Sequence, residues 1–126
     1  SCGDIKADDK TEPVVISEPA APAIAKEVSV SYTASGFSPK NLSIRKGDMV
    51  IWKSDGQNPM WVGSNIHPTH ALYDGTTREQ HCAKKPSSSF DQCSRGDLYS
   101  FIFTKTGTFK YHNHAKAADE GTIIVE

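Results

Sequence analysis

The chain has 126 residues, 37% of them hydrophobic, and a formal net charge of −1 from 14 basic and 15 acidic side chains. That length suits one small domain with a tail, and so even a charge balance argues against a nucleic-acid surface or a strongly acidic substrate. No apolar run approaches the roughly 20 residues that a membrane-spanning helix needs.

Residues 1–27 hold six of the 15 acidic side chains and three of the 14 basic ones, leaving residues 28–126 at about +2. This first segment contains Pro13, Pro19 and Pro22, small residues and charges, and no helical or strand period. Too little apolar surface is available there to offset the entropy of ordering, so it reads as a flexible acidic linker. Cys2, near its start, resembles the first residue of a mature bacterial lipoprotein, with Ser1 left from the cleavage junction. The expectation is a lipid anchor at Cys2, the chain's one contact with a membrane, and an extracytoplasmic place in the periplasm or on the cell surface.

From Val28 onward the pattern changes to short strands. VSVSYTASGF alternates and ends at a turn-prone Ser-Gly. NLSIRKGDMVIWKS reads as two strands joined at Lys46-Gly47-Asp48, with Val50 and Trp52 on one face and directed into the core. GDLYSFIFTKTGTFKYHNH repeats the device: Tyr99, Phe101 and Phe103 share a face, Lys105-Thr106-Gly107 turns, and Phe109 and Tyr111 return inward. GTIIVE closes as a last strand. No segment carries a helical stripe, and short alternating strands with Gly turns predict an antiparallel β-sandwich or barrel over residues 28–126.

Residues 55–97 break the alternation except around Met60-Trp61-Val62. So long a connection in a small domain is usually functional or disordered, and this one carries His67, His70, His81, Cys82 and Cys93. A Cys82–Cys93 disulfide is expected, closing a loop of about a dozen residues and implying an oxidising compartment. The alternatives are two free thiols, or one of them as a metal ligand.

The run from Phe37-Ser38-Pro39 through NLSIRKGDMVIWKS, YSFIFTKTGTFKYH and GTIIVE resembles the cupredoxin family of plastocyanin and azurin. The resemblance covers roughly residues 28–126 and implies an all-β, Greek-key sandwich with a metal site at one end and, here, a long ligand-bearing loop. It also implies where the His, Cys, His and Met of a blue-copper site would fall. Those slots are Met60, Asn113, Lys116 and Asp119, and none holds its usual ligand. Blue-copper chemistry depends on the thiolate, so a type 1 electron carrier is not expected.

In FKYHNH, His112 and His114 alternate with the inward-facing Phe109, Tyr111 and Asn113, so both lie on the other face of the strand. YHNH also resembles the Tyr-His-x-His segment of multicopper oxidases. In IHPTHALY, His67 and His70 form a His-x-x-His pair stiffened by Pro68, similar to another ligand segment of those enzymes. Any one of these histidines could be a solvated turn or strand-end residue. Two chelating pairs in loops that the fold gathers at one end predict a shared metal site of His67, His70, His112 and His114, with Met60 as a further candidate against its reading as core packing. His81 lies outside both pairs and is expected at the surface.

Imidazole donors suit copper, with zinc as the alternative. The expected function is an extracytoplasmic copper-binding protein with a non-type-1 site for sequestration, delivery or redox chemistry, and a copper donor or acceptor protein as partner. A small copper enzyme, with no obvious acid/base partner beyond Asp74 and Asp119 as candidates by sequence alone, and a metal-free interaction module are the other two readings.

Overall fold

The computed structural model describes residues 25–126, and there the alternation of the sequence becomes alternation of burial. Residues 1–24, with Cys2 and nearly all of the expected linker, lie outside the described residues. The elements in chain order are β1 (Glu27–Thr33), β2 (Gly36–Ser38), β3 (Asn41–Ile44), β4 (Met49–Ser54), β5 (Val62–Ser64), α1 (Arg78–His81), β6 (Leu98–Ile102), β7 (Gly107–Asn113) and β8 (Lys116–Val125). On β4 the side chains of Val50 and Trp52 are fully buried, as their shared parity requires.

Two four-stranded sheets pack face to face, one ordered β2-β1-β4-β6 and the other β3-β8-β7-β5. The expected antiparallel sandwich is corrected in one respect: β1 pairs with β4, and β3 with β8, in parallel. The cause lies in the turns. Lys46-Gly47-Asp48 and Lys105-Thr106-Gly107 turn the chain where the sequence says, yet each carries it from one sheet to the other and closes no hairpin. Asp48 secures the first crossing, its carboxylate accepting from the backbone N–H of Lys26 and of Arg45, while Gly47 adopts a φ of 97°.

Between the sheets, Trp52, Phe90, Phe103 and Tyr111 form an aromatic centre, with Trp52 and Tyr111 edge-to-face at 5.4 Å. Each such side chain contributes roughly 1.5–3 kcal/mol by burial. Phe90 comes from the long connection, and its ring packs 5.0 Å from Phe103 and 5.7 Å from Tyr111. It ties residues 55–97 to the core.

That connection is therefore ordered by the sandwich it crosses. β5 joins the edge of the second sheet against β7, with Val62 opposite Asn113, Gly63 opposite His112 and Ser64 opposite Tyr111. The short helix α1 is closed at its start by Thr77 and Gln80 in a reciprocal capping box. Cys82 and Cys93 are disulfide-bonded.

Candidate metal centre

The site grows from one row across three segments. His112 on β7 stands opposite Gly63 on β5, and Gly63 in turn bridges to Asp91. Directly opposed residues hold their Cβ atoms about 5 Å apart, and Gly63 has no side chain to fill its place in the row. The imidazole of His70 fills it. A Cβ on Gly63 would lie 2.7 Å from His70 Nδ1 and 2.8 Å from Nε2. His70 reaches this position with a φ of 56°, a left-handed backbone that costs a non-glycine residue on the order of 1–3 kcal/mol. Its N–H donates to the Ile66 carbonyl at 2.8 Å, which helps to hold the loop in that shape.

Lying across the row, the His70 ring meets a different partner at each nitrogen. Nδ1 is 2.7 Å from Asp91 Oδ2, and Nε2 is 3.1 Å from both His112 Nε2 and His114 Nδ1. A carboxylate oxygen can only accept, so His70 Nδ1 carries a proton. His112 Nδ1 lies 3.0 Å from Asn65 Oδ1, a carbonyl oxygen that likewise accepts. The two imidazoles thus point the lone pairs of their Nε2 atoms at each other across 3.1 Å. Both rings are completely or almost completely buried, and such an arrangement is favourable only with a proton or a metal ion between the nitrogens.

His112 resists taking up that proton. Burial, followed by the charges of His70, His67 and His114, pushes its pKa down to about 4. His114 is shifted in the same direction by burial and the neighbouring histidines. His114 leaves the strand just past a bulge, with its N–H donating to the Trp61 carbonyl at 2.7 Å and its ring 4.2 Å from the Trp61 ring. His67 completes the group from the exposed side, 4.7 Å from the His114 ring and 5.2 Å from the His112 ring. One donor atom from each of His67, His70, His112 and His114 lies within 4.8 Å of all the others. Four neutral nitrogen donors in that space suit a divalent transition metal.

Behind the histidines stands Asp91, 3% exposed, a residue the sequence reading passed over. Its Oδ2 accepts from His70 and from His81 Nε2, at 2.7 Å each, and its Oδ1 from Trp61 Nε1 and the Cys93 N–H, at 2.8 and 2.9 Å. Burial alone would raise its pKa, but the hydrogen bonds from His70, His81 and Trp61 outweigh it and hold the carboxyl at about 2. An anion that orients a ligand histidine is a recurring device of metal sites.

Several solved structures share this shape. An oxidised methionine-to-leucine variant of amicyanin superposes with a TM-score of 0.61 at 20% identity, over 79% of this chain and 81% of that one. The Cu(I) form of another amicyanin variant matches at 0.58 and 18% identity, over 83% and 87%. A purple cupredoxin from Nitrosopumilus maritimus matches at 0.55 and 20% identity, over 79% of this chain and 99% of that one. The chain has the cupredoxin fold. No family model and no curated protein sequence matches it, and at these identities the likeness is one of fold.

The four residues that the sequence resemblance assigns to blue-copper slots are otherwise employed. Asn113 is buried; it accepts from the N–H of Trp61 and of Ala115 and donates to the Pro59 carbonyl. Met60 is fully buried in the hydrophobic core. Lys116 and Asp119 belong to β8, which begins right after the turn at His114-Ala115. Asp119 accepts the Tyr32 hydroxyl at 2.6 Å and Asp74 accepts from Thr76, so neither acid is bonded to a histidine of the cluster.

One expectation is overturned outright. His81 is 6% exposed and bonded to Asp91, because α1 and the adjoining disulfide fold it under the loop. Donor atoms of His81, Cys82, Asp91 and Cys93 also lie within 4.8 Å of one another, but both sulfurs are consumed in the disulfide. Asn65 and Gly63 were likewise not singled out from the sequence. Gly63 carried a usable signal, since a lone glycine beside a strand pattern marks a close approach.

Proposed function

We propose that this chain is an extracytoplasmic copper-binding protein that holds one copper ion through His67, His70, His112 and His114, for sequestration, delivery or non-blue redox chemistry. The observation that carries the reading is the pair of buried Nε2 lone pairs facing each other at 3.1 Å, with the proton of each ring held on Nδ1 by Asp91 and by Asn65. A cation resolves that contact. Copper is preferred to zinc from the affinity order of nitrogen sites, and because the amicyanin structures of similar fold include Cu(I) forms.

Bound copper would supply a one-electron couple, and the chain's own residues would decide how it is used. His70 and His112 would hold the ion from inside. His114 and the exposed His67 would close it from the solvent side, where a copper donor or acceptor protein would exchange it. The Cys82–Cys93 disulfide supports an oxidising compartment, and a lipid anchor at Cys2 would tether the domain.

The test is a copper(II) titration of the metal-stripped chain, followed by electron paramagnetic resonance and visible absorption. One equivalent with several nitrogen couplings and weak colour is expected. An intense charge-transfer band would mean a sulfur ligand, and no stoichiometric uptake would favour a metal-free module. A parallel zinc titration compares the two metals. Fractionation of the full chain with and without Cys2→Ser tests the anchor, which is ruled out if both partition alike.

A further inference from the structure

His81 has no place in the histidine cluster, yet it shares a carboxylate oxygen with one of its members. Asp91 Oδ2 accepts from His70 Nδ1 and lies 2.7 Å from His81 Nε2. At the far side of the His81 ring, Nδ1 faces Thr76 Oγ1 at 3.0 Å and the Thr76 carbonyl at 3.1 Å. The carbonyl has no proton to give. The hydroxyl has one, but it is directed to Asp74 Oδ1 at 2.6 Å, an oxygen that also accepts the Thr76 N–H. Asp74 is held ionised: burial raises its pKa, but the Thr76 bonds and others bring it below the ordinary range. Both ring nitrogens of His81 therefore face acceptors, and an imidazole satisfies two acceptors only by donating at both ends.

We infer that His81 is a buried imidazolium which, through the shared oxygen of Asp91, sets the charge that His70 presents to the metal. It is a positioning residue: it acts on the ion through Asp91 and His70. Its effect on the metal rests on the function proposed above; its protonation does not. Alone, the Asp91 anion would draw on the Nδ1 proton of His70 and make Nε2 a stronger donor. With a cation bonded to the same oxygen, that pull is partly spent, and the site carries an extra positive charge that disfavours copper(II) relative to copper(I). His81 also lines a cavity of ≈ 270 Å³ together with Asp74, Thr76, Gln80 and Lys84 among others.

Two measurements test this. Long-range proton–nitrogen NMR on the metal-free full chain at neutral pH should show protons on both ring nitrogens of His81; a single-proton tautomer would overturn the inference without any mutation. Copper(II) affinity and midpoint potential should then be compared for His81→Gln, which keeps a donor toward Asp91 and drops the charge, and for Asp91→Asn. His81→Gln is expected to bind copper(II) about tenfold tighter and to lower the potential, whereas Asp91→Asn should bind roughly 10–100-fold more weakly. Weakening in both variants would reduce His81 to a structural role. If the wild-type chain took up no copper, the proposed function would fall and this role with it, while the NMR result would still decide the protonation of His81.

Discussion

His112 and His70 arrive at the same 3.1 Å contact by opposite routes. His112 is delivered by register: β7 is laddered to β8 on one side and to β5 on the other, with Tyr111 anchored in the aromatic core beside it. His70 is delivered by a loop, and most of what fixes it comes from elsewhere in the chain. Gly63 leaves the space, Asp91 holds Nδ1, Phe90 roots Asp91 in the core, and a left-handed φ turns the ring inward. A strand-borne ligand needs only the sandwich. A loop-borne one needs a supporting shell, and that is where the buried carboxylate and the disulfide are concentrated.

Removing either inner histidine should have the largest effect. His70→Ala and His112→Ala are each expected to weaken copper binding by more than the roughly 10–100-fold typical of losing an outer partner, read by competition titration. An unchanged affinity in either would remove that histidine from the site. His67→Ala, at the exposed rim, should cost less than either.

Two glycines separate the loop side from the strand side. Gly63→Ala would drive a methyl group into the His70 ring, and since that ring sits on a loop it should swing away. Copper affinity should fall at least about tenfold, as for loss of a supporting partner, and stability by about 1–3 kcal/mol as the buried Asp91 loses the His70 donor. Gly121→Ala would meet the Tyr111 ring instead, 2.8 Å from Cε1. It should cost about 1–3 kcal/mol of stability by overpacking, with copper affinity of the folded protein nearly kept. The reverse pattern would show that His70 is rigid and the core yielding.

Cys93→Ser opens the loop that closes beneath Asp91. A stability loss of about 3 kcal/mol is expected in urea, with the copper affinity lowered as Asp91 loosens. A variant as stable as the parent would mean that the loop is held by Phe90 and β5 alone.

The smallest effect concerns protons. The folded His112 has a pKa of about 4, below the ordinary 6.5, so the unfolded chain takes up this proton first as pH falls. Stability is therefore full above pH 6.5 and is lost as pH drops toward 4, by about 2 kcal/mol at pH 5. The metal-free wild type should lose this increment between pH 7 and pH 5 in urea melts, and His112→Ala should not. Parallel slopes would place the proton elsewhere.

The two routes also explain what could be read in advance. Val50, Trp52, Phe103 and Tyr111 were legible as core because strand alternation is a property of neighbours in sequence, and so was the pairing of His112 with His114 and of His67 with His70. The turn residues announced where the chain would bend. They could not announce that each bend would cross to the other sheet, since a turn signal is local and sheet membership depends on partners far along the chain.

Backbone geometry over a few residues set the period of the strands, the spacing of the paired histidines and a disulfide within reach of a short loop. Long-range packing stood Gly63 between His112 and Asp91, laid His70 in the gap, and buried His81. Those contacts join residues as far apart as His81 and Asp91, 10 positions, and Gly63 and His112, 49 positions. What a buried histidine meets depends on which distant segment the core brings against it, and no pattern of adjacent residues encodes that.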